Sequence, residues 1–146
     1  MVDGSEIPSP SSSVDTGVIV HFIVPGVPRS PTSRSRETWK AHVRGAAIQE
    51  WGTQPPIASD VSVVLVHFFK EGILDVDNMI KPILDALTGI IFVDDRQVIQ
   101  VVARRTELVT GRQIVNASPD VVAAIERDAD FVYVRVASAP DPGVMP

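Results

Sequence analysis

The sequence predicts a small α+β domain with α/β-like layers, in which two main helices cover a mixed β-sheet. Two observations lead to this fold class. First, segments with strand composition alternate with helical patterns in the order β-α-β-α-β-(α)-β. Second, 146 residues are enough for one domain with a substantial core. Both ends are polar and poor in residues to bury, which predicts a disordered tail over 1–16, a folded domain over 17–137 and a flexible tail over 138–146.

Four segments have the composition of β-strands. The first, residues 18–24, is rich in β-branched and aromatic side chains and is ended by a Pro-Gly pair. The second, residues 61–69, is almost entirely apolar, which is typical of a strand buried on both faces at the centre of a sheet. Residues 98–105 and 131–136 are the third and fourth predicted strands.

The two main helices are predicted over residues 33–51 and from about 77 to 88. The first has a plausible buried face formed by Trp39, Val43, Ala46, Ala47 and Ile48. The second begins at a cap, either Asp77 or Asn78, and buries Ile80, Ile83, Leu84 and Leu87. A short third helix is predicted after Ser118, with Pro119 at its first position.

Composition excludes several classes of protein. The chain has no cysteine, so it contains neither disulfides nor thiolate metal sites. It has no apolar run near the roughly 20 residues that a membrane span needs, and its first residues do not resemble a signal peptide. These features lead us to expect a cytoplasmic protein that does not contact the membrane.

The net charge of −5 by itself argues against a nucleic-acid partner. The distribution of the charges is more informative than their sum. Four of the 18 acidic residues lie in the tails and five form one cluster, which leaves nine acidic residues against 13 basic ones. DNA binding is therefore compatible with the charge of the folded body.

Five carboxylates cluster within residues 75–95 and predict a metal site. Crowded carboxylates repel one another, and a cation keeps them ionised most easily. Oxygen ligands of this kind suit Mg²⁺, which also binds substrate phosphates. Asp75 and Asp77 lie two apart in an extended segment, so their side chains project to the same side, and Asp95 follows the second main helix. The pattern indicates metal-assisted phosphodiester hydrolysis, with Lys81 available to the phosphate.

Each of these residues also has a simpler interpretation. Asp77 or Asn78 can be a helix cap, Lys81 and Asp85 can be an i,i+4 ion pair, and the pair at 94 and 95 can be turn residues. The spacing does not fit a calcium loop of the EF-hand type, and no glycine-rich phosphate loop is present. The three histidines are separated, and we expect core or surface positions for them: His21, His42 and His67.

A basic group lies in the loop after the first strand and on the first helix. If it is functional, it contacts DNA phosphates and makes binding depend on salt. The alternative is a solvated helix face with no partner. Its members are Arg29, Arg34, Arg36, Lys40 and Arg44.

The acidic segment resembles the signature of the RusA family of Holliday junction resolvases. The resemblance extends over about 25 residues, and the strand order and size of the chain are compatible with it. It is far more specific than a lone Asp-x-Asp. The residues that carry it are Asp75-x-Asp77-Asn78-x-x-Lys81-x-x-x-Asp85-Ala86-Leu87, then Gly89 and Asp94-Asp95-x-Gln97-Val98.

This resemblance implies a homodimeric endodeoxyribonuclease, of a kind common in phages and prophages, that acts in DNA recombination and repair. Such enzymes make paired, symmetric cuts in four-way DNA junctions. They require Mg²⁺, for which Mn²⁺ can substitute. Position by position, the resemblance implies that Asp75, Asp77 and Asp95 are catalytic, metal-binding aspartates and that Lys81 is the essential lysine. The accompanying positions are predicted to be supporting residues: Asn78, Asp85 and Asp94.

Two other functions remain open at this point. A non-catalytic branched-DNA-binding protein would bind junctions without cutting them. A metal-dependent nucleotide phosphohydrolase would need a nucleotide pocket and little basic surface. The segment between Glu107 and Asp130 is longer than the family pattern leads us to expect, and it has no predicted role.

Overall fold

The structure, a computed structural model, describes residues 17–146. It consists of one mixed four-stranded sheet and three α-helices, which confirms the predicted α+β class. The predicted N-terminal tail lies outside the described residues. The elements in chain order are β1 (Val18–Pro25), α1 (Arg36–Trp51), β2 (Val61–Phe69), α2 (Val76–Leu87), a 3₁₀ turn (Asp95–Gln97), β3 (Val98–Glu107), α3 (Pro119–Glu126) and β4 (Phe131–Ser138).

The strands lie in the order β1-β4-β2-β3. β4 runs antiparallel to both of its neighbours, while β2 and β3 are parallel and are connected through α2. The prediction that β2 is central is confirmed, because it pairs with β4 on one side and β3 on the other. The chain therefore leaves the central strand at Phe69 and passes at once into the acidic segment.

One face of the sheet carries the main core, which α1 and α2 cover. The side chains that α1 buries are Trp39, Val43, Ala47 and Trp51. Those of α2 are Met79, Pro82, Ile83, Ala86 and Leu87. This core fixes α2 against the sheet and so fixes the start of the helix, where the acidic segment lies.

The opposite face of the sheet is only partly covered. The short helix α3 packs there through Val121 and Ala124 onto Phe68 and Phe131. The two phenylalanine rings stack with their centroids 4.6 Å apart. α3 begins as the sequence predicts, with Pro119 as its first residue and the Ser118 hydroxyl accepting a hydrogen bond from the Val121 N–H at 3.4 Å.

Several predicted details of the helices were wrong. α1 begins at Arg36 rather than at residue 33, and Ile48 faces solvent. α2 begins at Val76, so the N-cap position belongs to Asp75 and not to either predicted cap. This earlier start places Pro82 in the second turn, where its missing N–H removes one hydrogen bond of the helix.

Residues 139–146 lie outside strands and helices, and their flexibility stays a prediction. Among residues 17–146, no helix has both the length and the apolar character needed to cross a bilayer.

Candidate active site

The first turn of α2 presents two of the predicted catalytic carboxylates to solvent. Asp75 occupies the N-cap position with an extended backbone, but its side chain does not cap the helix. Asp77 lies in the first turn and is also exposed. Within residues 17–146, neither carboxylate has a side-chain hydrogen bond or an ion pair.

Lys81 connects α2 to the segment that follows it. Its ammonium donates to Oδ1 of Asp85 at 2.9 Å and lies 3.6 Å from Oδ2 of Asp95. The hydrogen bond that Lys81 donates to Asp85 and the charges of Asp85 and Asp95 raise the pKa of Lys81. Lys81 is therefore positively charged at neutral pH. Its ion pair with Asp95 holds that residue at the face of α2 on which Asp85 lies.

The neighbouring Asp94 has a different, structural role. Its carboxylate accepts from the Arg96 N–H at 2.9 Å and pairs with the Arg96 guanidinium at 3.2 Å. These hydrogen bonds, first the backbone one, lower the pKa of Asp94. Gln97 completes a capping box by accepting from the Asp94 N–H at 2.8 Å, and its amide donates to the Ile57 and Ser59 carbonyls. Asp94 thus fixes the turn that carries Asp95.

The connection from β2 to α2 is held by a carboxylate from a distant part of the chain. Asp130, at the start of β4, is buried. Its Oδ1 accepts from the N–H groups of Lys70 and Glu71, both at 2.9 Å, and its Oδ2 accepts from the Gly72 N–H at 3.0 Å. Burial alone would raise the pKa of Asp130, but these donors outweigh burial and lower it. We call this set of contacts the Asp130 clamp.

His67 of β2 provides the remaining hydrogen bond of the Asp130 clamp. Its Nε2–H donates to Oδ2 of Asp130 at 2.9 Å, and both side chains are almost fully buried. Burial lowers the pKa of His67 despite the opposing effect of the carboxylate, so the imidazole is neutral at pH 7. His67 is 1% exposed and lies in the core, which is one of the two kinds of position expected for the histidines.

Gly72 and Arg105 tighten the same connection. A Cβ at Gly72 would lie 2.7 Å from Oδ2 of Asp130 and 2.7 Å from Cε1 of His67, so only glycine fits there. Arg105 of β3 donates to the Gly72 carbonyl at 3.0 Å and stacks over the Phe69 ring at 4.1 Å. Three strands therefore restrain the backbone just before Asp75.

The structure brings together some predicted site residues and leaves others apart. Lys81, Asp85 and Asp95 meet directly, whereas Asp75 and Asp77 remain open to solvent. Over residues 17–146, no group of three or more His, Asp or Glu stands close enough to hold a metal ion. The donor chemistry nevertheless suits a hard divalent cation, because the two carboxylates of the first turn have free oxygens and no competing partner in the described part.

The basic group lies on an exposed surface that reaches this site. Lys40 of α1 stands 4.0 Å from Oδ2 of Asp85 and 3.6 Å from Glu37, which also pairs with Arg36 at 3.4 Å. Lys40 thus joins the basic surface to the carboxylate that binds Lys81. The other members of the group are also exposed: Arg29, Arg34 and Arg44.

Sequence reasoning missed the function of His67 and Asp130. A histidine within an apolar strand and an aspartate directly before another strand are the available signals, since buried polar groups need partners. Their pairing could not be read from the sequence because 63 positions separate them. Lys40 was predicted as a DNA contact, but its approach to Asp85 depends on how α1 packs against α2.

Comparison with known proteins agrees with the motif. A protein-family model described as endodeoxyribonuclease RusA matches residues 26–126, which is well over half of the chain. The matched range contains Asp75, Asp77, Lys81 and Asp95, whereas Asp130 lies outside it. No curated protein matches the chain. The resemblance seen in the sequence is confirmed, and the chain belongs to the RusA family of endodeoxyribonucleases.

Proposed function

We propose that the protein is a Mg²⁺-dependent, structure-selective endodeoxyribonuclease that resolves four-way DNA junctions during recombination and repair. Besides the family match, one observation carries this proposal. Lys81 lies between Asp85 and Asp95, so the helical part of the family signature meets the part that follows the helix, on the same helix whose start carries the open carboxylates. An isolated helix cap or turn would not require this meeting.

In this proposal Asp75, Asp77 and Asp95 hold Mg²⁺, and Mn²⁺ can replace it. The bound ion supplies an activated water and stabilises charge on the attacking and leaving oxygens of the phosphodiester. The protein contributes the placement of the carboxylates. The Asp130 clamp fixes the backbone before Asp75, and the capping box around Asp94 fixes the turn before Asp95.

Lys81 provides the positive charge that the reaction needs near the phosphate. Because the raised pKa keeps its ammonium protonated, Lys81 can stabilise charge that develops on a phosphate oxygen. Asp85 fixes the lysine through the 2.9 Å hydrogen bond, and the side chain is otherwise exposed and can reach a substrate. Asp85 is therefore a positioning residue in this scheme.

The substrate contacts fit a branched DNA bound across α1. Phosphate contacts of the basic group would make binding fall as salt rises. Its four arginines are exposed and its lysine is half-buried: Arg29, Arg34, Arg36, Arg44 and Lys40. A homodimer suits a junction with two equivalent cleavage points, because a two-fold protein matches a two-fold substrate. The dimer is supported by the family membership alone.

The decisive experiment compares a mobile four-way junction with a linear duplex, in Mg²⁺ and in EDTA. We expect paired symmetric nicks on the junction that are absent in EDTA. Asp77→Asn should reduce cleavage by about a thousandfold, since it removes a ligand of the ion. Asp60→Asn, an exposed aspartate before β2, is the matched control and should cut normally.

The other outcomes favour different functions. Tight junction binding without nicks in any metal would identify a non-catalytic branched-DNA-binding protein. Nucleotide hydrolysis with neither junction binding nor cutting would identify a nucleotide phosphohydrolase. Equal cutting of the duplex and the junction would keep the nuclease but remove its structure selectivity.

A further inference from the structure

The partly covered face of the sheet contains a cleft that the nuclease site does not use. It has a volume of about 820 Å³, within the range of small-ligand sites. The sheet forms its floor, and residues 113–121 form one wall. That wall belongs to the segment between Glu107 and Asp130, to which the sequence assigned no role.

Three potential cations from three strands line this cleft. Arg135 of β4 is the direct cross-strand partner of His21 on β1. Arg104 of β3 is paired with Val66 and Arg135 with Val64, so β2 separates the two arginines, with an offset of two residues. From standard strand spacings their Cα atoms lie about 12 Å apart, a distance over which two arginine side chains can hold one ligand.

The charges of the two arginines are not neutralised by an ion pair within residues 17–146. Neither Arg104 nor Arg135 forms an ion pair or a side-chain hydrogen bond there. Nε of Arg135 and Nδ1 of His21 are buried without a hydrogen-bond partner. Buried polar atoms are nearly always paired, so two orphaned atoms on adjacent residues indicate a missing acceptor.

The remaining lining adds to this preference. The N-terminus of α3 reaches the cleft at Ser118 and Val121, and the positive end of the helix dipole favours negative charge there. Asp120 is the one carboxylate among the described lining residues, against two guanidiniums. The rest of the floor and wall is largely apolar and includes Val66 and Phe68.

From these features we infer that the cleft binds a phosphate ester of nucleotide size. The guanidinium fork matches phosphate oxygens, and the apolar lining suits the flat body of a base. The phosphate can come from a free mononucleotide or from the terminal nucleotide of a DNA strand. The site lies on the face of the sheet opposite α1 and α2, so its occupancy does not require the metal site.

Calorimetric titration of the full chain in EDTA, with dTMP and with thymidine as probes, tests this inference. We expect dTMP to bind and thymidine to bind at least about tenfold more weakly, because the nucleoside lacks the charged group. Arg135→Gln and Arg104→Gln should each weaken dTMP binding by about tenfold or more. Arg127→Gln, an exposed arginine outside this cleft, is the matched control and should have little effect.

Further measurements distinguish a free mononucleotide from the end of a DNA strand as the ligand. They also include the results that would overturn the inference. A 5′-phosphorylated oligonucleotide that binds more tightly than dTMP, and loses that advantage in Arg135→Gln, would identify a strand end as the ligand. Equal binding of dTMP and thymidine, or no binding by any phosphorylated probe while the thermal unfolding of each variant stays normal, would overturn the inference. Burial of the cleft between two copies of the chain, seen as dimer loss in Arg135→Gln without any dTMP binding, would overturn it as well.

Discussion

The connection from β2 to α2 and the first turn of α2 are consecutive in sequence but opposite in physical character. In the connection, the Asp130 carboxylate accepts four hydrogen bonds and is buried. In the first turn, Asp75 and Asp77 are exposed and have no partner within the described part of the chain. The satisfied carboxylate fixes the backbone, whereas the unsatisfied ones keep their oxygens available. The carboxylate of Asp130 thus stabilises residues 70–72, and the carboxylates proposed to bind the ion follow only a few residues later, at Asp75 and Asp77.

The same division appears after α2. Asp94 binds Arg96 and Gln97 within its own turn, whereas Asp95 pairs with Lys81. Adjacent aspartates therefore differ in their partners: Asp94 pairs within its own turn, and Asp95 pairs with a residue of α2. Apart from one control, each of the following variants changes either the Asp130 clamp or the open carboxylates, but not both.

The largest expected effect follows from Asp130→Asn. An amide must direct its NH₂ group at one of the N–H donors, so buried donors lose their acceptor and the free energy of unfolding should fall by about 3 kcal/mol. Denaturant unfolding measures this change. Junction cleavage should require more Mg²⁺ for half-maximal rate, because the backbone before Asp75 is less restrained. A variant as stable as the wild type would show that the Asp130 clamp contributes nothing.

Two glycine-to-alanine substitutions test how closely the Asp130 clamp packs around Gly72. Gly72→Ala should destabilise by about 2 kcal/mol, since the new methyl group meets Asp130 and His67 at 2.7 Å. Gly45→Ala is the matched control, because nothing lies within 4 Å of that Cβ on helix α1. It should instead stabilise by about 0.5–1 kcal/mol through helix propensity. Similar changes of stability in both variants would contradict the predicted contact.

The pH dependence of stability should reveal His67. Because its pKa is lowered in the folded state from the ordinary value of 6.5, the unfolded chain binds more protons just below pH 6.5. The free energy of unfolding should therefore fall as the pH drops through this range, by at most about 1.4 kcal/mol per pH unit. Asp130, with its lowered pKa, adds its own loss only at more acidic pH, below 3.8. His67→Gln should flatten the slope near pH 6, and an unchanged slope would assign it to other groups.

The smallest expected effect concerns the open carboxylates. Asp75→Asn and Asp77→Asn should change the stability of the metal-free protein by no more than about 0.5 kcal/mol, since neither side chain has a partner to lose. The wild type should gain thermal stability when Mg²⁺ is added, and both variants should lose most of that gain. A large destabilisation without metal would show that these residues are structural rather than available.

The order of elements and the central position of β2 could be predicted because they depend on local composition. A nearly continuous apolar run such as residues 61–69 fits only a strand covered on both faces. The start of α2 could not be predicted as well. Asp75, Asp77 and Asn78 are all good caps by residue type, and only the structure shows that the helix begins after Asp75.

The positions of the site residues were predictable, but their partners were not. The family signature includes Lys81 and Asp95, and the structure adds that they lie 3.6 Å apart. The Asp130 clamp joins segments 58–60 positions apart, and no local pattern specifies such a pairing. The cleft depends on how α3 packs against a sheet face, which the sequence of α3 alone does not determine.

The place of β4 in the sheet has a consequence for how the chain reaches its native state. Val18 pairs with Ala137, so the sheet closes only when residues more than 100 positions apart meet. Contacts of such long sequence separation make folding slow. During synthesis β1 and β2 must wait for the strand that lies between them, and both expose unpaired edges until it arrives. Because Asp130 emerges directly before that strand, the Asp130 clamp forms only after the residues next to β4 have been synthesised.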